Sequence, residues 1–139
     1  MEAGPVNLLG LMVDSAMATL IWLVQRIIYP GFADIPRARF HEWHKSYMKA
    51  ISAIVMPLML GQAAFITYGL MTDFSWWVAA AAGCMVVAWV VTFTLSVPCH
   101  TALQERGNES ALVNRLVHTN WLRTIAWTAM PFLRLNALL

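Results

Sequence analysis

Charge is scarce in this chain. Asp, Glu, Lys and Arg make up 12% of the 139 residues, where a soluble domain carries about 25%. Hydrophobic residues make up 60%, so there is too little polar surface to cover a water-soluble domain. Most of the exterior must face lipid, and the length suits a single transmembrane domain over residues 1–139. Cysteine is nearly absent as well. Cys84 lies in an apolar run and Cys99 falls at a helix end; the two form no CxxC and no disulfide framework. A formal charge of +2, with no basic-aromatic strip, excludes nucleic acid as a partner. The N-terminus lacks the basic region of a secretory signal, and its first apolar stretch is long enough to remain as a span. There is no internal repeat and no low-complexity stretch. No span carries the paired Gly/Pro interruptions in two related halves that mark many transporters.

Long apolar runs are what the chain has in abundance. Crossing the hydrocarbon core takes about 20 helical residues, and residues 7–29, 43–68, 76–98 and 113–135 meet that length. "YPGFADIP" (29–36) should break the chain after the first run, because Pro30 and Pro36 cannot continue a helix. "GLMTDFS" (69–75) is a tight connection, and Pro98 should end or kink the third run. "QERGNES" (104–110) is a polar loop whose Ser110 is positioned to cap the fourth. Lipid requires backbone polar groups to be satisfied within the chain, so the fold class is all-α, an integral membrane four-helix up-and-down bundle.

The basic residues fall on one side. Arg26, Arg37, Arg39, Lys45, Lys49, Arg106, Arg115 and Arg123 lie at or toward the first and third connections; Arg134 lies toward the other end, where the short loop holds Asp73. The positive-inside rule makes the basic side cytoplasmic and puts both termini outside, in a bacterial inner membrane. Asp14 and Arg134 both fall toward the outer side and should pair; Gln62 should make an interhelical hydrogen bond.

Four histidines occur, and the up-and-down topology brings them all to the basic end. His41 and His44 open the second span, His100 closes the third, and His118 comes early in the fourth; Gln25 and Tyr29 arrive from the first. His41 and His44, three residues apart, share one helical face, which suits two ligands of one metal or an ordinary wet collar. In "LVHTNWLRTIAW" (116–127) Arg123 lies deep in a span, where an ionisable group is expensive and must pair, snorkel or face a wet cavity. His118, Asn120 and Arg123 do not fit one narrow stripe, which implies that the fourth span is buried on more than one face.

Three stretches together, "IWLVQRIIYPGF", "FHEWHKSYMKAISAIVMPLML" and "SVPCHTAL…LVHTNWLRTIAWT", resemble a group of small bacterial four-span membrane proteins without an assigned role. More distantly they are similar to the anthrone-oxygenase-like membrane family. The matching positions are Gln25, Tyr29, Pro30, Phe40, His44, Pro57, Pro98, His100, Asn120, Trp121 and Arg123. That family often shows Asn after the Pro of span three, where this chain has His100, so an anthrone substrate is not carried over. The resemblance implies an oxidative role.

The expected function is a membrane oxidoreductase with its site at the cytoplasmic end of the bundle. A metal ion (Fe or Cu before Zn) would be held by His41, His44, His100 and His118, or a haem by His44 and His118, since facing helices of a bundle are where such sites are built. Glu42 or Glu105 would complete a non-haem iron site. The substrate would be small and apolar or anionic; Arg123 and Asn120 would stabilise an anionic substrate or an oxygen-derived anion, and Tyr29 or Tyr47 would donate a proton or hydrogen atom. A second expectation is an accessory subunit of a larger membrane complex or a homo-oligomer, with the histidines as a hydrated collar.

Overall fold

The computed structural model describes residues 4–139. Four long helices follow one another: α1 (Pro5–Asp34), α2 (Arg37–Thr72), α3 (Trp76–Arg106) and α4 (Ser110–Leu138). The first three are long and apolar enough to cross a membrane. α4, with 29 residues, reaches about 43 Å at 1.5 Å per residue, but its polar and basic residues lower its hydropathy below that of the others. The architecture is the expected all-α bundle. α4 packs against α1 and α3, α1 packs against α2, and α2 meets α3 along the thinnest seam.

Three helices overrun their apolar runs at both ends and α3 does so at its C-terminal end; the break expected in "YPGFADIP" comes late, at Ile35–Pro36, and Pro98 does not end the third helix. The chain stays helical through Pro30, and through Pro98 as far as Arg106. In each case a π-helical turn lies just before the proline, Val24–Ile28 in α1 and Thr92–Ser96 in α3. Proline has no N–H and its ring collides with the carbonyl four residues back. The wider π turn shifts its hydrogen bonds to the fifth residue and makes room for that ring. Ser110 does not cap α4: it is the first helical residue, and the carbonyl of Glu109 takes the amides of Leu112 and Val113 at 3.0 Å each. Ser75 caps α3 instead, its hydroxyl accepting from the Val78 amide at 3.2 Å.

α4 buries one broad face, centred on Leu112, Leu116, Arg123, Trp127, Met130 and Arg134 and flanked by Val113, Asn120, Thr124 and Ala126, about 160° wide at 100° per residue. The expectation that it is buried on several faces is corrected: His118 lies about half a turn away on the exposed side. At the end of the bundle that holds Arg134, Asp14 and Arg134 form a buried ion pair, and Gln62 Nε2 donates to the other oxygen of Asp14 at 2.9 Å. Gly10 makes room for this pair, since a Cβ there would lie 2.7 Å from an Arg134 nitrogen.

Candidate functional site

Near the other end, polar side chains from all four helices converge. The π turns decide which ones face inward. Each adds one residue to a turn, so the residues beyond it rotate by about 100° relative to a plain helix. Tyr29 and His100 follow the two π turns and both point into the bundle, 3% and 7% exposed. His44, on the second turn of α2, is 1% exposed and faces them.

These groups form one chain of hydrogen bonds. Arg123 Nη1 donates to the Tyr29 hydroxyl oxygen at 3.3 Å and to Ser96 Oγ at 3.1 Å. The Tyr29 hydroxyl lies 3.0 Å from His100 Nε2, His100 Nδ1 lies 3.0 Å from His44 Nε2, and His44 Nδ1 lies 2.7 Å from Gln104 Oε1. The direction follows from the partners. Gln104 Nε2 lies 3.2 Å from the His41 carbonyl, which only accepts, so the amide oxygen faces His44. His44 must then carry its proton on Nδ1 and, when neutral, accept at Nε2. By the same step His100 donates from Nδ1 and accepts from Tyr29 at Nε2. At the other end Arg123 only donates, which leaves the Tyr29 proton free to go to His100 Nε2, in keeping with this assignment.

Stacked rings hold the two imidazoles. Phe32 is fully buried, with its neighbours edge-on around it, among them Phe40, Trp43, His44 and Tyr47. Phe40 stacks on His44 with centroids 5.2 Å apart, and His44 on His100 at 5.3 Å. Asn108 pins the last turn of α1, which carries Phe32, and the residue after it, donating to the carbonyls of Phe32 and Ile35 at 2.9 and 2.8 Å.

The chain of hydrogen bonds ends at a cavity of about 120 Å³ bordered by Tyr29, Ser96, His100 and Arg123 at its polar cap. Below the cap the walls are mostly apolar, chiefly Met17, Ile21, Val55, Met59 and Trp127. Tyr47 borders the cavity too, with its ring stacked on Trp43 at 5.4 Å. Where α2 and α3 diverge, the lining residues Met56, Phe93 and Val97 are 44%, 52% and 43% exposed, so the mouth opens sideways onto the apolar flank of the bundle.

Not every candidate residue reaches this place. His41 is exposed and its Nδ1 meets the Gln104 carbonyl at 2.8 Å. His118 is exposed on the outer face of α4, its Nδ1 2.7 Å from the Asn114 carbonyl. Glu42 and Glu105 are exposed as well. Asn120 belongs to a separate buried knot, donating to Gln25 Oε1 at 2.8 Å while Gln25 donates to the Val117 carbonyl at 3.1 Å. Ser96, Gln104 and Asn108 belong to the site or its supports although no local pattern singles them out.

The donor set fits a metal or haem poorly. Among the described residues no group of three or more His, Cys, Asp or Glu side chains is arranged to hold a metal ion. The four imidazoles are not brought together, and a His44–His118 pair cannot flank a haem when one ring is buried and the other points outward. All four ring nitrogens of His44 and His100 are already in hydrogen bonds.

Fold and site together define an all-α bundle with three helices able to cross a membrane and a polar chain leading from one end to an internal cavity. In comparisons with known proteins, the chain matches no family model, no curated protein and no solved structure.

Proposed function

We propose that this protein is a membrane enzyme, of the oxidoreductase class that the resemblance implies, acting on a small lipid-soluble substrate held in the cavity. Its own residues supply proton transfer. The observation that carries this reading is the single direction of the hydrogen-bond chain Tyr29–His100–His44–Gln104, which starts at the cavity and ends near water. Tyr29 is the group that gives or takes a proton at the substrate, and Arg123 stabilises negative charge as it develops there. His100 and His44 pass the proton along, and Gln104 fixes their tautomers. The basic end is placed in the cytoplasm with both termini outside, in a bacterial inner membrane. The alternative, an accessory subunit of a larger complex, draws on the exposed Met71, Phe74 and Trp76 around the α2–α3 turn.

The relay has a spectroscopic test. In ¹⁵N-histidine-labelled protein in nanodiscs, His44 and His100 should both appear as the neutral Nδ1–H tautomer, and Tyr29→Phe should shift the His100 Nε2 signal. Tyr29→Phe and His44→Gln should each lower turnover of a converted substrate by about 10²–10⁴-fold. Nε2–H tautomers at both rings, or a stoichiometric metal or haem in the purified protein, would overturn the relay. For orientation, a Cys placed at Asp73 should be labelled from outside and one at Asn108 should not; the reverse pattern turns the site toward the periplasm.

A further inference from the structure

We infer that the ligand of the cavity is an amphiphilic weak acid, a hydroxyl or carboxyl group on an apolar body of about one ring, that enters sideways from the bilayer and is held as its anion by Arg123. The way its proton leaves rests on the relay proposed above; the binding does not.

Three observations carry this. The first is Arg123 itself. It is 6% exposed and lies some 13 residues into α4, about 20 Å along the helix. Among the described residues it has no carboxylate partner; the two ion pairs there are Asp14–Arg134 and Arg106–Glu109. Nη1 serves Tyr29 and Ser96, both neutral, the Trp127 ring lies 4.8 Å from the guanidinium carbon, and Nε has no hydrogen-bond partner. A guanidinium in a membrane helix without a counter-charge is costly, and such residues mark binding sites or pathways. Because Arg123 borders the cavity, an oxyanion placed there would supply the missing charge.

The second observation is size and lining. A cavity of about 120 Å³ is close to the roughly 150 Å³ apolar cavity that admits one benzene ring. Its charged and hydrogen-bond-relay groups gather at one cap; the other walls are mostly apolar, with Ser52 and a Thr92 hydroxyl that is already donated to the Ala88 carbonyl, so the ligand has one polar end and one largely apolar end. The third is the mouth. It opens at Met56, Phe93 and Val97 on the apolar flank of the helices and not at the end carrying Gln104 and His41. Only the neutral acid dissolves well in lipid, so the ligand arrives protonated and is ionised inside.

The step balances without oxidation or reduction. The O–H bond of the ligand breaks as its proton reaches the Tyr29 oxygen. The Tyr29 proton passes to His100 Nε2, and the His100 Nδ1 proton passes to His44 Nε2. The ligand anion is left beside Arg123, and the cation is left on His44, which donates to Gln104 Oε1.

The test uses the full chain in nanodiscs with four probes: 4-butylphenol, 4-butylbenzoic acid, butylbenzene and 4-butylbenzyl alcohol. Calorimetry gives affinity, and the ultraviolet difference spectrum reports ionisation of the phenol. The phenol or the benzoic acid should bind at least tenfold more tightly than butylbenzene and the alcohol. Arg123→Gln should abolish that preference and Arg123→Lys should retain most of it; which acid binds identifies hydroxyl or carboxyl. Met56→Trp and Val97→Trp, at the mouth, should slow association by tenfold or more. Equal binding of butylbenzene, a preference that survives Arg123→Gln, no binding of any probe, or unaltered association in both mouth variants would each overturn the proposal. Should Arg123→Gln fail to fold, the preference in the native protein and in Arg123→Lys still decides. An Arg123-dependent preference with phenol ionisation unchanged in Tyr29→Phe and His44→Gln would instead sink the relay and leave the ligand class standing.

Discussion

Arg123 and Arg134 lie on the same helix about three turns apart, and both are buried, yet their surroundings are opposite. Arg134 has an acid: Asp14 compensates its charge, Gln62 donates to the other oxygen of that acid, and Gly10 leaves the backbone of α1 close enough for the ion pair to form. Arg123 has two hydroxyls, an indole ring and a cavity. A charge compensated within the protein locks helices together. A charge left uncompensated beside a space is available to something that enters it. The difference sets a structural ion pair at one end of the bundle against the proposed ligand site at the other.

Breaking the compensated end should have the largest effect. Asp14→Asn or Arg134→Gln leaves one charge buried without its partner, which costs about 3–5 kcal/mol. Making both changes together, Asp14→Asn with Arg134→Gln, should cost less than the sum of the single changes. Denaturant unfolding of the four proteins in detergent gives the double-mutant cycle. Additive losses would mean that the pair does not act as a unit, and the contrast between the two arginines would collapse.

How much of this was legible beforehand differs between the same two regions. The Asp14–Arg134 pair and the Gln62 hydrogen bond follow from topology alone, because α1, α2 and α4 each carry a polar group to one end of an otherwise apolar bundle. The four-helix architecture was equally legible from run length. At the cavity end, counting topology placed Tyr29, His44 and His100 at one level but could not say which way each pointed. In α1 the buried positions run Gly10, Asp14, Met17, Ile21, then Val24 with Gln25, and a plain helix at 100° per residue would centre the next one on Ile28. The π turn moves the next one to Tyr29. Nothing in the residue pattern announces that extra residue except the proline that follows. Gln104, Ser96 and Asn108 are ordinary polar residues whose roles come from partners 60 or more positions away, or from a helix that crosses them, and no local signal carries that.

Removing the uncompensated charge should have a much smaller effect on stability. Arg123→Met gives up two hydrogen bonds to neutral groups and the contact with Trp127, worth about 1 kcal/mol per bond. It also removes a buried cation, of a kind that costs about 2.5–3.5 kcal/mol in the middle of a membrane helix. These opposing contributions nearly cancel, so unfolding should change by no more than about 1 kcal/mol in either direction while anion binding is lost. A loss of 3 kcal/mol or more, matching Arg134, would show that Arg123 is structural and would erase the distinction drawn from its missing acid.

The smallest effect should come from His118, and its smallness sharpens the comparison. The sequence gives His118 the same standing as His44 and His100, and a four-imidazole site needs it. In the folded chain its ring is exposed and its one hydrogen bond is to the carbonyl of Asn114, one turn back in its own helix. A surface side chain of this kind contributes within about 0.5 kcal/mol. His118→Ala should therefore leave unfolding unchanged and should not move the ¹⁵N signals of His44 or His100. His100→Ala, by contrast, removes the middle of the chain and should displace the His44 signals and loosen Tyr29 from Arg123. If His118→Ala perturbs the buried imidazoles as strongly as His100→Ala does, the fourth helix is rotated from the position described. The histidines would then form one site after all, and the contrast between a proton path and an outward-facing ring would have to be given up.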